Sequence, residues 1–199
     1  SFDIVHCHFG KTANQYLPIR RLMGHTMPML TSFYGYDVSM IPKQKELNYY
    51  DGLKKECHSY IVMSQDMKTR VVELGFPDHE LQILPVSIDV EEIPFTERTY
   101  EEGRPVEIVS VGRFVEKKGF DDLLRALAIV KEKATKPFRA TIIGGGVLEG
   151  SLKALAKELH VEEVVSFPGF MKVQDVIRTY LQKHLYVQPS KTAPSGDME

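Results

Sequence analysis

Two kinds of apolar spacing alternate along the 199-residue chain: short β-branched runs, and stretches in which apolar residues recur every three or four positions. The first is the pattern of buried strands, the second that of helices with one face on a core. Residues 106–133 show both in succession. Val106, Ile108, Val109 and Val111 form the run, Gly112 turns the chain, and Phe120, Leu123, Leu124, Leu127 and Val130 repeat at helical spacing. This stretch predicts a strand, a loop and a helix.

The same alternation runs along the rest of the chain. In the first half, strands are predicted over 3–8, 27–33, 59–63 and 81–84, and helices over 15–23, 45–56 and 64–74. Ser64 is placed to N-cap the last helix, and Gly75 and Pro77 stop it. Residues 91–104 are charged and carry Pro94, which reads as an interdomain linker. Beyond it, strands are predicted over 106–111, 138–143, 164–167 and 185–187. The helix after 138–143 opens at Gly144, Gly145 and Gly146, with Leu148, Leu152, Leu155 and Leu159 inward, and another covers 173–182. Strands alternating with helices on both sides of a linker mean α/β architecture with parallel sheets. The domain reading is 1–92, a linker over 93–104, and 105–199. Ser1 in place of an initiator Met, and a strand near the C-terminus with no helix after it, lead us to expect an internal piece of a larger protein.

Composition narrows the class. A net charge of −2 without a basic stripe argues against nucleic acid as a partner, since phosphate-backbone binding needs clustered Lys and Arg. Two cysteines, Cys7 and Cys57, at no metal-ligand spacing support neither a disulfide framework nor a zinc site. Reduced thiols give a cytoplasmic expectation. No apolar run approaches the roughly 20 residues needed to span a bilayer, and peripheral attachment to a membrane stays open.

Candidate chemistry gathers at strand ends. Arg113 follows the strand at 106–111 and Lys118 precedes the next helix, where free N–H groups and the helix dipole favour an anion. The two are either a phosphate site or solvated surface charges. Gly144, Gly145 and Gly146 let a backbone approach a phosphate or sugar ring, or form a plain turn. His6 and His8 point to one side of the first strand by alternation, as polar or acid/base groups or as structural residues. Asp37, after Gly35, is a ligand contact or a turn aspartate. Ser190 and Glu199 frame a polar last loop that otherwise reads as a disordered terminus. No hydrolytic triad or P-loop is present.

The motifs VGRFVEKKGFDDLLRALAIV, ATIIGGGVLEGSLKALAKELHVEEVVSFPGF, LYVQPS and SGDME resemble, in order, the donor-binding half of GT-B fold, family 4 (group 1) retaining glycosyltransferases. DIVHCHFG, TSFYGYDVS, IVMSQDMKTRVVELG and ILPVSID are similar to the end of the acceptor domain of such enzymes. The resemblance implies two Rossmann-like domains, both incomplete here. It also implies sugar transfer from a UDP- or GDP-linked donor to a hydroxyl of a glycan or lipid-linked acceptor, in bacterial surface glycan or exopolysaccharide assembly.

By the same resemblance Arg113 and Lys118 neutralise the donor diphosphate, which takes the electrostatic role of a metal, so neither metal nor cofactor is expected. Gly112, Gly144, Gly145, Gly146 and Phe170 line the nucleotide pocket, and Ser190 lies near the phosphates. Glu199 matches the first Glu of the E-x7-E motif that contacts the donor sugar, and with His6 it is taken as catalytic. His8, Tyr34 and Asp37 are further contacts to acceptor or donor. Tyr34 stands where many members carry His, and supplies a hydroxyl in place of an imidazole. Two alternatives are carried: a nucleotide-sugar-binding fragment without activity, and a GT-B sugar-nucleotide epimerase.

Overall fold

The computed structural model describes residues 2–198 apart from 47, 92 and 96. Among the described residues, those up to 88 with 194–198 form one compact unit, and those from 89 to 193 form the other. The first contains β1 (Val5–His8), α1 (Gly10–Leu22), β2 (Met29–Ser32), α2 (Gly35–Ser39), α3 (Ile41–Gln44), α4 (Asp51–Glu56), β3 (Ser59–Val62), α5 (Gln65–Glu73) and β4 (Leu81–Ile83). Its strands form one parallel sheet in chain order, β1-β2-β3-β4. Phe33, Tyr50, Tyr60 and Phe76 centre its core and meet largely edge-on, with the Phe33 and Phe76 rings 5.1 Å apart.

Local signals set several boundaries. The Ser64 hydroxyl accepts the N–H of Met67 at 3.2 Å, and Gly75 at φ 85° ends α5 in the left-handed region. Replacing Ser64 by Ala leaves that N–H without its cap. We expect Ser64→Ala to lower stability by about 1 kcal/mol in urea denaturation.

The predicted helix over 45–56 is shorter in the structure. It begins at Asp51, and two short helices, α2 and α3, occupy chain that the spacing leaves as loop. Tertiary anchoring decides this. Tyr50 is 4% exposed, packs on Phe33, and donates its hydroxyl to the Asp37 carbonyl, so residues before Asp51 follow the core and not helical periodicity.

The second unit contains β5 (Val106–Val111), α6 (Phe120–Lys133), β6 (Phe138–Ile143), α7 (Glu149–Glu158), β7 (Val165–Gly169), α8 (Val173–Tyr180) and β8 (Leu185–Tyr186). Phe120, Leu123, Leu124 and Leu127 bury the inner face of α6, while Val130, the last of the predicted series, is 40% exposed. Helix α7 starts at Glu149 and not at the glycines, which stay in the loop. The sheet is parallel, with order β7-β6-β5-β8. The order reverses between β5 and β8, and open α/β sheets bind ligands outside the carboxyl ends of strands at such a switch. No described helix is long and apolar enough to cross a membrane.

Candidate functional site

In the second unit the carboxyl ends of β5, β6 and β7 enclose a pocket of ≈ 230 Å³. The β5 end supplies Val111, Gly112 and Arg113. Ile143, Gly144 and Gly145 come from the β6 end, Phe170 and Met171 from the segment between β7 and α8, and Val176 from α8 itself. The walls are mainly apolar. Arg113 is the cation in the lining and is exposed, and Phe170, 88% exposed, forms a lip. An apolar slot with one cation at its edge can stack a flat ring and neutralise an attached anion.

Backbone contact explains why the loop after β6 is glycine. Gly144 has φ 144°, and a Cβ placed on it would stand 1.9 Å from the Gly112 carbonyl oxygen. Gly146 has φ 155°, and its Cβ would meet the Phe114 carbonyl oxygen at 2.7 Å. The Phe114 N–H donates to Gly145 at 2.9 Å, and the Gly144 N–H to Gly169 at 3.0 Å. Three strand-end loops therefore lock together through main chain into a fixed wall.

Lys118 ends a single 3₁₀ turn, Glu116–Lys118, and its stem folds back over Gly112. A Cβ on Gly112 would lie 3.4 Å from Lys118 Cδ. The two predicted cations thus flank one glycine. Gly119, at φ 65°, lets the loop after β8 approach, since a Cβ there would be 2.0 Å from the Pro189 carbonyl oxygen. The Lys191 N–H donates to the Lys117 carbonyl at 2.8 Å. Its ammonium holds Asp121 and Asp122 at 2.7 Å each, and these hydrogen bonds raise its pKa above the ordinary value. Ser190 lies in this docked loop and accepts from Gln188 Nε2 at 2.6 Å; it is outside the pocket lining. Glu199 falls outside the described residues.

The first unit gathers its predicted residues at the carboxyl ends of β1 and β2. The His6 and His8 ring centroids are 4.3 Å apart, so alternation places them as expected. His6 Nε2 hydrogen-bonds Ser32 Oγ at 2.8 Å, and His8 Nδ1 meets the Tyr34 hydroxyl at 2.7 Å. Phe9, next in the chain, is held at φ 71° with its ring 4.7 Å from that of Tyr34. Such a non-glycine conformation costs about 1–3 kcal/mol, and strain of this kind collects at functional loops.

Asp37 is fully buried. Its carboxylate accepts the N–H groups of Tyr34 at 3.1 Å and Lys11 at 3.4 Å, which ties the starts of α1 and α2 together. Burial raises its pKa, and those hydrogen bonds oppose the shift. These are the contacts of a turn aspartate.

Loss of hydration, then the neighbouring His8, lowers the His6 pKa below its ordinary 6.5. With fewer protons bound folded than unfolded, stability is retained above 6.5 and falls as pH drops through the folded value. A stability-against-pH curve should decline on acidification below about 6.5, and His6→Gln should flatten that part of it.

Sequence reasoning missed Met171, Val176 and the Lys191 clamp. Met171 adjoins the Gly169-Phe170 turn and was within reach. Lys191 was not, because its partners lie far away in sequence.

Two parallel α/β units, the second with a glycine-walled strand end, define a GT-B type, Rossmann-like protein. The family described as "Glycosyl transferases group 1" matches residues 92–196, and the chain belongs to that family. WcaL of Escherichia coli K12, named for colanic acid biosynthesis, is 28% identical over 99% of this chain and 48% of its own length. The amylovoran biosynthesis glycosyltransferase AmsK of Erwinia amylovora is 30% identical over 99% and 48%. Among solved structures, HepE of Anabaena in complex with UDP and glucose aligns at TM-score 0.75 and 16% identity, over 98% of this chain and 54% of that one. The chain spans about half the length of the curated relatives it matches.

Proposed function

We propose that the chain carries the donor-binding machinery of a retaining glycosyltransferase that moves a sugar from a UDP- or GDP-linked donor to a hydroxyl acceptor in bacterial surface glycan assembly. One observation carries this reading: Arg113 stands at the mouth of an apolar pocket walled by the Gly144-Gly145 backbone and capped by Phe170. HepE, a neighbour of the same fold, holds UDP and glucose.

The chemistry follows from charge. As the glycosidic C–O bond lengthens, the sugar becomes oxocarbenium-like and the departing diphosphate gains negative charge. Arg113 and Lys118 flank the turn where that charge would develop, and fixed cations there stabilise the transition state more than the ground state. The acceptor hydroxyl attacks from the face that the nucleotide leaves. In the first unit, His6 and His8 present imidazoles beside the Tyr34 hydroxyl, a set suited to orienting a sugar hydroxyl or relaying its proton.

A donor screen tests the reading. UDP- and GDP-sugars should bind with saturation and compete with the free nucleoside diphosphate, and one should be consumed when a glycan or lipid-linked acceptor is added. Binding without consumption would leave the nucleotide-sugar-binding alternative. Failure of every donor to bind would remove the assignment.

A further inference from the structure

A second pocket, ≈ 330 Å³, lies at the opposite end of the same sheet, near the amino ends of β5 and β6. Glu107 and Arg139, partners across β5 and β6, line it, as do Arg104, Tyr100, Gln182 and His184. Its distance from the Arg113 pocket along β5 is roughly 17 Å at the rise of a strand.

The lining balances Glu101 and Glu107 against Arg104 and Arg139, and Lys183 and Lys136 beside it bring surplus positive charge. The Glu107 carboxylate is held by Lys183 at 2.7 Å and that of Glu101 by Arg104 at 2.8 Å, so both anions are already neutralised. Arg139 faces Glu107 across the strands but forms no ion pair among the described residues, and Lys136 sits 4.1 Å over the Tyr100 ring, bringing a second cation beside the lining. The tautomer of His184 is fixed by geometry. Its Nδ1 accepts the Glu107 N–H at 2.9 Å, so the neutral ring carries its proton on Nε2 and has that donor to offer. The lining therefore presents surplus donors and positive charge, together with the Thr99 hydroxyl and the Gln182 amide.

We infer that this pocket is a binding site for a small organic phosphate of sugar-phosphate size, separate from the donor pocket. Arg139 supplies a planar fork for phosphate oxygens, His184 Nε2–H a further donor, and the amide and hydroxyl groups suit the polyol. The volume exceeds that of a bare phosphate and falls in the range of small-molecule sites, about 300–1,000 Å³.

Calorimetric titration of the 199-residue protein with inorganic phosphate, glucose 6-phosphate and glucose tests the site, with the His184 ring resonances followed by NMR. Glucose 6-phosphate should bind more tightly than phosphate, glucose should not bind, and the His184 signal should move on saturation. Arg139→Gln, an exposed strand position, should weaken binding about tenfold, in line with loss of a charge-assisted contact. Lys136→Gln should weaken it less, and the His184 shift should persist in Arg113→Ala. No saturable phosphate binding by the parent protein, a His184 shift that survives both Arg139→Gln and Lys136→Gln, or one lost in Arg113→Ala would each overturn the inference.

Discussion

Gly144→Ala should lower the stability of the second unit by about 2–5 kcal/mol, combining left-handed backbone strain with an overpacked contact. The new methyl would stand 1.9 Å from the Gly112 carbonyl oxygen, which is main chain and has no rotamer to swing away. Against a total stability of roughly 5–15 kcal/mol for a domain, the loss is large enough to read as a shifted urea midpoint. Gly145→Ala is the internal control. Its Cβ would meet nothing closer than Glu149 Oε2 at 3.9 Å, and its φ is ordinary, so the change should stay within about 0.5 kcal/mol. Equal stability of the two variants would show that close approach of the β5 and β6 loops does not govern this glycine.

That contrast marks what the sequence could disclose. Strand β6 and the loop after it were legible because Phe138, Ala140 and Ile142 alternate with polar residues and three glycines follow. Spacing could not tell which glycine is indispensable, since that depends on a carbonyl more than thirty positions earlier in the chain. Asp37 shows the same limit. Its neighbours suggested a turn, but its complete burial and its hold on the Lys11 N–H arise only when β1 and β2 pair. Short helices α2 and α3 were missed because each is too brief for periodicity to register, and Tyr50, anchored in the aromatic core, sets the chain that follows them. Arg113 and Lys118 were found from local order, strand then turn then helix. The Lys191 clamp that fastens the β8 loop beside them depends on the strand order.

The cations carry the second large effect. Arg113→Ala should reduce kcat/KM about 100- to 1,000-fold in a donor-turnover assay, the scale of removing one fixed donor from a developing anion. Lys118→Ala should fall in the same range. The two losses should combine less than additively, because either cation alone can hold part of a diphosphate. The division between constants identifies the role. A group that meets charge appearing only as the leaving group departs lowers kcat, whereas one that grips the ground-state diphosphate raises KM and spares kcat. Arg113→Lys retains charge but loses the planar fork, so it should recover only part of the rate. Since Arg113 is exposed at the pocket mouth and buries no apolar surface of the core, urea midpoints should barely move, which separates chemistry from folding. Unchanged turnover in both alanine variants would remove the diphosphate from this end of β5.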